Sequence, residues 1–203
     1  MRIVVVGATG TIGKAIAQLL KDKGNEVVEA SRSTQPAVDI TDAASIDAFF
    51  NETGAVDAIV SAAGDAAFES LDKLTDKQIQ LSLNSKLLGQ INVVRKGLPY
   101  LRPNGVVVIT GGFLAYKPEL QTSMIVMVNS GLEGFAKATA LELTEGRRIV
   151  IVHPPWVAET AATLGMDATR WPDAARTAEA YLDAIEGNTS GQPVFVEGHN
   201  PTV

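Results

Sequence analysis

Apolar residues along the chain come in short runs that alternate with stretches of helical spacing. Ile3-Val4-Val5-Val6 is an unbroken β-branched and apolar run, the mark of a strand buried on both faces. Ile12, Ile16, Leu19 and Leu20 follow at helical spacing, up to Lys23-Gly24. A second strand is expected at 26–30 and a short third one at 37–40. Thr41 reads as an N-cap with Asp42 in the first turn, opening a helix to about Asn51. The next strand, 57–61, runs into Ala62-Ala63-Gly64. Residues 75–100 read as one long helix with Ile79, Leu83, Leu87, Leu88, Ile91 and Val94 on one side. Residues 106–110 form the clearest buried strand, and a loop from Gly111 to about Glu119 precedes a second long helix, 121–144. A strand at 149–152, a helix at 173–186 and a strand at 193–196 complete the pattern.

Strands that alternate with helices in this way predict an α/β fold. The expected form is a three-layer, doubly wound parallel sheet (Rossmann-like) of about seven strands, with helices on both faces. No internal repeat or linker divides the chain, so residues 1–203 are expected to form a single domain, with a loose tail from about Gly198.

Composition removes several classes of chemistry. The chain has no cysteine, which excludes disulfides, thiol nucleophiles and thiolate metal sites. Its two histidines, His153 and His199, are far apart and form no HExxH-type pair, so no metal site is expected. Lys+Arg is 17 against Asp+Glu at 23, a formal charge of −6, which argues against nucleic acid as a partner. No apolar run approaches the ~18 residues of a membrane span, and the N-terminal residues do not read as a signal peptide. A cytoplasmic protein with a small-molecule substrate is the expectation.

The strongest local signal is Gly7-Ala8-Thr9-Gly10-Thr11-Ile12-Gly13, a GxxGxxG spacing directly after a buried strand and at the mouth of a helix. Gly7 lets the chain turn sharply, Gly10 removes a side chain where a pyrophosphate approaches, and Gly13 lets helix and sheet pack closely. The helix N-terminus adds free N–H groups and a partial positive charge. These features predict dinucleotide binding. After the second strand the chain reads Ala30-Ser31-Arg32-Ser33, without the acidic residue that accepts from a ribose 2′-OH at that point. Arg32 suits a 2′-phosphate, with Ser31 adding a hydroxyl, so NADP(H) is expected over NAD(H).

Together these residues resemble the short-chain dehydrogenase/reductase superfamily, and the resemblance runs nearly the whole length of the chain. Asp39-Ile40 looks like the segment that holds the adenine ring. Ser61-Ala62-Ala63-Gly64 resembles the family's Asn-Ala-Gly turn. Asn84 is similar to an asparagine that anchors a catalytic water chain. Leu132-Glu133-Gly134-Phe135 and Ala140-Leu141-Glu142-Leu143 look like the central helix, and Pro154, Val157 and Thr160 resemble a stretch beside the nicotinamide amide. The resemblance therefore implies cofactor contacts from Gly7, Thr9, Gly10, Thr11, Ile12, Gly13, Ser31, Arg32, Asp39, Ile40, Ala62, Ala63, Gly64, Asn129, Pro154 and Val157.

One departure matters most. The family's Tyr-x-x-x-Lys pair, counted back from Gly134-Phe135, falls on Ile125 and Asn129, and its serine on Gly111 or Gly112. Ile125 cannot transfer a proton, and Asn129 can bond ribose hydroxyls but carries no charge. This marks a short, divergent member with a non-standard or missing proton donor. The catalytic candidates are Asn84, Tyr116 and Asn129, with Thr110 and Ser123 as weaker substitutes and His153 as a structural residue. Two readings stay open: an NADP(H)-dependent oxidoreductase that reduces a small carbonyl, or a non-catalytic NADP(H) sensor. A third is isomerisation of a bound nucleotide or sugar-like ligand. The segment 158–169 is short for a substrate lid, with Trp156 and Trp171 at its ends. The resemblance also implies a homodimer or homotetramer through helices 75–100 and 121–144.

Overall fold

The computed structural model describes residues 1–201. Six parallel strands lie in the order β2-β1-β3-β4-β5-β6. They are β1 (Arg2–Val6), β2 (Glu26–Ala30), β3 (Val56–Ser61), β4 (Leu101–Thr110), β5 (Arg148–His153) and β6 (Pro193–Phe195). The helices are α1 (Thr11–Asp22), α2 (Ala43–Thr53), α3 (Asp76–Leu81), α4 (Gln90–Gly97), α5 (Ser123–Glu142), α6 (Ala158–Thr163) and α7 (Ala174–Glu186). This is the doubly wound, three-layer arrangement expected. No helix among the described residues is long and apolar enough to cross a membrane.

The period-2 geometry of the strands explains the continuous apolar runs. Ile3, Val5, Ala58, Val60, Val106, Val108, Val150 and Val152 face one way, against Ile16 and Leu20 of α1 and Tyr181 and Ile185 of α7. Val4, Val6, Ile59, Val107, Ile109, Ile149 and Ile151 face the other way, against α2, α4 and α5. Each β-branched residue thus fills one of two cores, and removing a methyl(ene) from either leaves a cavity that costs about 1 kcal/mol or more.

Three local expectations change. Residues 37–40 are not a strand: they make one bridge, Ser31 to Ala37. Pro36 offers no N–H, and the Asp39 N–H goes to Ser45 Oγ at 2.9 Å, so no ladder propagates. The described residues form six strands, close to the seven expected. The N-cap of α2 is Asp42, whose side chain accepts from the Ala44 N–H; Thr41 instead bonds Asp39. The segment after Trp156 contains a helix, α6, and is tied down: Glu159 accepts from the Ala174 N–H at the start of α7. Of the tail, His199 stacks on Trp171 with ring centroids 6.3 Å apart. Residues 202 and 203 lie outside the described residues.

The expected helix 75–100 is built in sections. Between α3 and α4, residues Ser82–Gly89 wind as a π-helix. Such wide turns are rare and gather at functional sites. Here the turn buries a polar stripe, Ser82, Ser85, Lys86 and Gln90. The two serines hold the loop after β3: Asp65 donates its N–H to Ser85 Oγ and Ala67 donates to Ser82 Oγ. Gln90 pairs with the end of β4, giving its amide to Thr110 O and accepting the Thr110 N–H, both at 2.8 Å. A side chain thereby extends the sheet's bonding at the edge where the site opens.

Candidate functional site

The carboxyl edge of the sheet opens into two joined cavities. The outer one, about 450 Å³, is lined by Gly7, Thr9, Gly10, Ser31, Arg32, Asp39, Ile40, Ala62, Ala63 and Gly64, with others. The inner one, about 290 Å³, is lined by Ile12, Ala62, Gly64, Lys86, Thr110, Ile125, Asn129 and Pro154, with aromatic walls from Phe68, Phe113, Trp156 and Trp171. Ala62 and Gly64 belong to both, so the cavities form one trench.

The cradle follows from β1 and α1. Gly7 turns off the strand at φ 89°, and a Cβ there would stand 2.8 Å from the Ala62 carbonyl. At Gly13 a Cβ would lie 2.0 Å from Gly7 O. Thr11 and Gly13 do not line the trench; Gly13 acts by letting α1 sit against the turn. Gly10 is the N-cap of α1 and no side chain caps that end, so the first-turn N–H groups face the cavity unpaired by any cap. A Cβ at Gly10 would touch only Gly7 O, at 3.4 Å, and otherwise project into open space. A diphosphate fits where that side chain would be.

At the far end of the outer cavity Arg32 is exposed and makes no ion pair with any described residue. Glu29, the nearest acid on β2, is held by Lys21 and does not line the trench. Asp39 lines it, but its Oδ1 already accepts from the Thr41 hydroxyl and N–H. Those bonds, the hydroxyl's first, hold its carboxyl below the ordinary value.

The inner cavity holds an unpaired amide. Asn129 is 1% exposed, and neither its Oδ1 nor its Nδ2 has a partner among the described residues. Each buried polar group left unpaired costs about 1–3 kcal/mol, a cost that a ligand bonding this amide would relieve. Together with the bare cradle at Gly10, it shows that the residues present fit a nicotinamide dinucleotide. Ile125 lines the same wall one turn earlier.

Other sequence candidates lie elsewhere. Asn84 is exposed and lines neither cavity. Tyr116 also lies outside both: its hydroxyl donates to Glu133 at 2.6 Å, and burial, then that carboxylate, pushes its pKa up. Its position suits packing against His153 and Phe195, not proton delivery into the trench. His153 is fully buried. Its Nδ1 accepts the Gly112 N–H at 3.1 Å and its Nε2 faces Glu133 at 3.3 Å. Burial pushes its pKa down, so it is neutral at pH 7. The Thr110 hydroxyl bonds Ser61 O and the Tyr181 hydroxyl. Val157 is buried and lines neither cavity.

The residue that sequence reasoning passed over is Lys86. It is 7% exposed and lines the inner cavity. Desolvation lowers its pKa to about 8, offset in part by Asp65. A regular helix gives no reason to single it out. The signal that was available is the four-residue spacing of Ser82, Lys86 and Gln90, a polar stripe beside the apolar one.

A parallel sheet whose carboxyl edge opens into a glycine cradle and a joined chamber is the build of a nicotinamide-dependent oxidoreductase. The chain belongs to the short chain dehydrogenase family, whose model matches residues 1–171. Among solved structures it is similar to the protein lin1944 from Listeria innocua, with 36% identity and a TM-score of 0.91, covering 97% of this chain and 99% of that one. A small-chain dehydrogenase solved in complex with NADPH is 27% identical, with a TM-score of 0.87, covering 98% and 97%. The 3-ketodihydrosphingosine reductase of Bacteroides thetaiotaomicron is 26% identical over 160 residues, which are 70% of this chain and 58% of that reductase.

Proposed function

We propose that the chain is an NADP(H)-dependent reductase of a small carbonyl compound with apolar or aromatic substituents. The observation that carries this is the single trench. One end offers Arg32 and Ser31, and the other a chamber walled by Phe68, Phe113, Trp156 and Trp171. Arg32 and the two serines beside it form a bidentate-capable site for a 2′-phosphate, while the tethered Glu29 leaves no acid for a ribose diol. The NADPH bound by a similar dehydrogenase supports the same preference.

Gly7, Thr9, Gly10 and the first turn of α1 would hold the diphosphate, Asp39 and Ile40 the adenine end, and Asn129 the inner ribose. The bound nicotinamide supplies a hydride to the carbonyl carbon. The aromatic walls orient the substrate and exclude water from it. Leu81, Leu88, Met127 and Leu141 are exposed on the sections 75–100 and on α5, and we propose that a second copy of the chain covers them. Sedimentation at micromolar concentration should then give a dimer or tetramer, and a monomer would exclude it.

Fluorescence titration with NADPH and NADH, followed by absorbance loss against aldehydes, ketones and quinones, tests the reading. Arg32→Ala should weaken NADPH by about 1.5–3 kcal/mol, roughly 10- to 150-fold, and leave NADH within about threefold. Equal effects on the two would refute the 2′-phosphate site. Tight NADPH binding with no turnover on any carbonyl would return the chain to the sensor reading.

A further inference from the structure

We infer that Lys86 is the proton donor of this site: its ammonium protonates the substrate's carbonyl oxygen as hydride reaches the carbonyl carbon. The inference rests on the reductase reading above.

The inner cavity has few groups able to do this. Asn129 does not titrate, and the Thr110 hydroxyl is committed to Ser61 and Tyr181. Lys117 and Glu119 are exposed at the rim, with Lys117 Nζ 5.5 Å above the Phe113 ring. Tyr116 and His153 do not line the cavity. Lys86 is the only buried titratable side chain among its lining residues.

Its placement is built. Gly64, in the wall shared by both cavities, lies against it: a Cβ there would stand 2.9 Å from Lys86 Cα and 3.2 Å from Cδ. Any side chain at that position would displace the lysine. Lys86 is buried within the π-helical turn, and Ser82 and Ser85 fasten the neighbouring loop. Burying an ammonium is expensive unless it is paired, yet no described residue hydrogen-bonds this one. The charge that offsets this burial is Asp65, from that loop. Lys117 and Glu119 line the same cavity from the loop after β4, and His153 of β5 feels the charge of Lys86 as well as those of Glu133 and Lys137 on α5.

The step balances. One N–H bond of Lys86 breaks as an O–H bond forms on the carbonyl oxygen, which has received the π electron pair. The neutral amine left behind takes a proton back from bulk water through the open mouth of the trench. A pKa of about 8 keeps the group cationic at pH 7 and makes it a far readier acid than a free lysine.

The test combines three measurements on the whole chain. The first is NMR of the apo protein labelled with [ε-13C]lysine, with the Lys86 signal assigned by its loss in Lys86→Arg. It should titrate near pH 8, well below surface lysines. The second is NADPH titration, in which Lys86→Met should bind within about threefold of wild type. The third is kcat/KM against pH. Wild type should fall as pH rises through about 8, and Lys86→Met should lose about 10²–10⁴-fold and that limb with it. Should the methionine variant not fold, Lys86→Arg replaces it, since a guanidinium stays charged but cannot give up its proton here. A Lys86 signal titrating with the surface lysines overturns the inference. So does a variant that keeps the limb or loses less than about tenfold, and so does one that instead binds NADPH more than about tenfold more weakly. A wild-type chain that binds NADPH but reduces no carbonyl fails the reductase reading itself, and the donor role falls with it.

Discussion

Replacing Lys86 by methionine should stabilise the protein at neutral pH, and the gain should vanish in alkali. In the fold Lys86 loses its proton near pH 8; in the unfolded chain the value is 10.5. Below pH 8 both states are protonated, and the fold carries the full cost of a buried cation. A difference of this size corresponds to about 3 kcal/mol. Between the two values the unfolded state binds the extra proton, so the wild type gains stability as pH rises. Above 10.5 the cost is gone. Methionine fills similar volume and has no charge to desolvate. For a domain of this size the gap at pH 7 corresponds to a rise in Tm of roughly 6 to 12 °C. Urea unfolding of both proteins from pH 6 to 10 measures it directly. A gap that does not change with pH, or a variant less stable by the same margin throughout, would refute the buried-cation argument. A substitution that strengthens the fold while abolishing turnover is what a functional, strained group predicts.

Tyr116→Phe removes a hydroxyl that donates to Glu133 outside the trench. Carbonyl turnover should stay within about threefold, while Tm drops by an amount equivalent to about 1–2 kcal/mol; a hundredfold loss of turnover would restore Tyr116 as the donor. Gly13→Ala puts a methyl 2.0 Å from Gly7 O, so NADPH binding should be lost and stability should fall by more than about 2 kcal/mol; a variant that titrates NADPH normally would refute the close-approach argument.

Much of the fold was legible because each strand is doubly buried and each helix has a distinct apolar side. The turn after β1 was legible for a similar reason: Gly7, Gly10 and Gly13 shape it through the backbone, and their spacing stands in the sequence. The expected strand at 37–40 failed on a hydrogen bond that sequence does not display, the Asp39 N–H to Ser45. Asn84 and Tyr116 failed for a different reason. Asn84 is singled out by its resemblance to a family asparagine on a helix read as regular, and Tyr116 by its place in the loop at the carboxyl edge of the sheet. The π turn presents Lys86 to the trench instead, and Glu133 draws Tyr116 away. Phe68 and Trp156 lie far apart in sequence, and only the fold brings them within 5.4 Å to wall the chamber.

The wide coil at Ser82–Gly89 also makes this stretch sensitive to its own length. An ordinary helix turns about 100° per residue, and a five-step coil turns less. Excising one amino acid between those ends would let the rod tighten to the common pitch and swing its amine-bearing neighbour out of the chamber. Point replacements on its outer side should be tolerated, whereas a one-codon deletion should leave a folded, nucleotide-binding but inert protein.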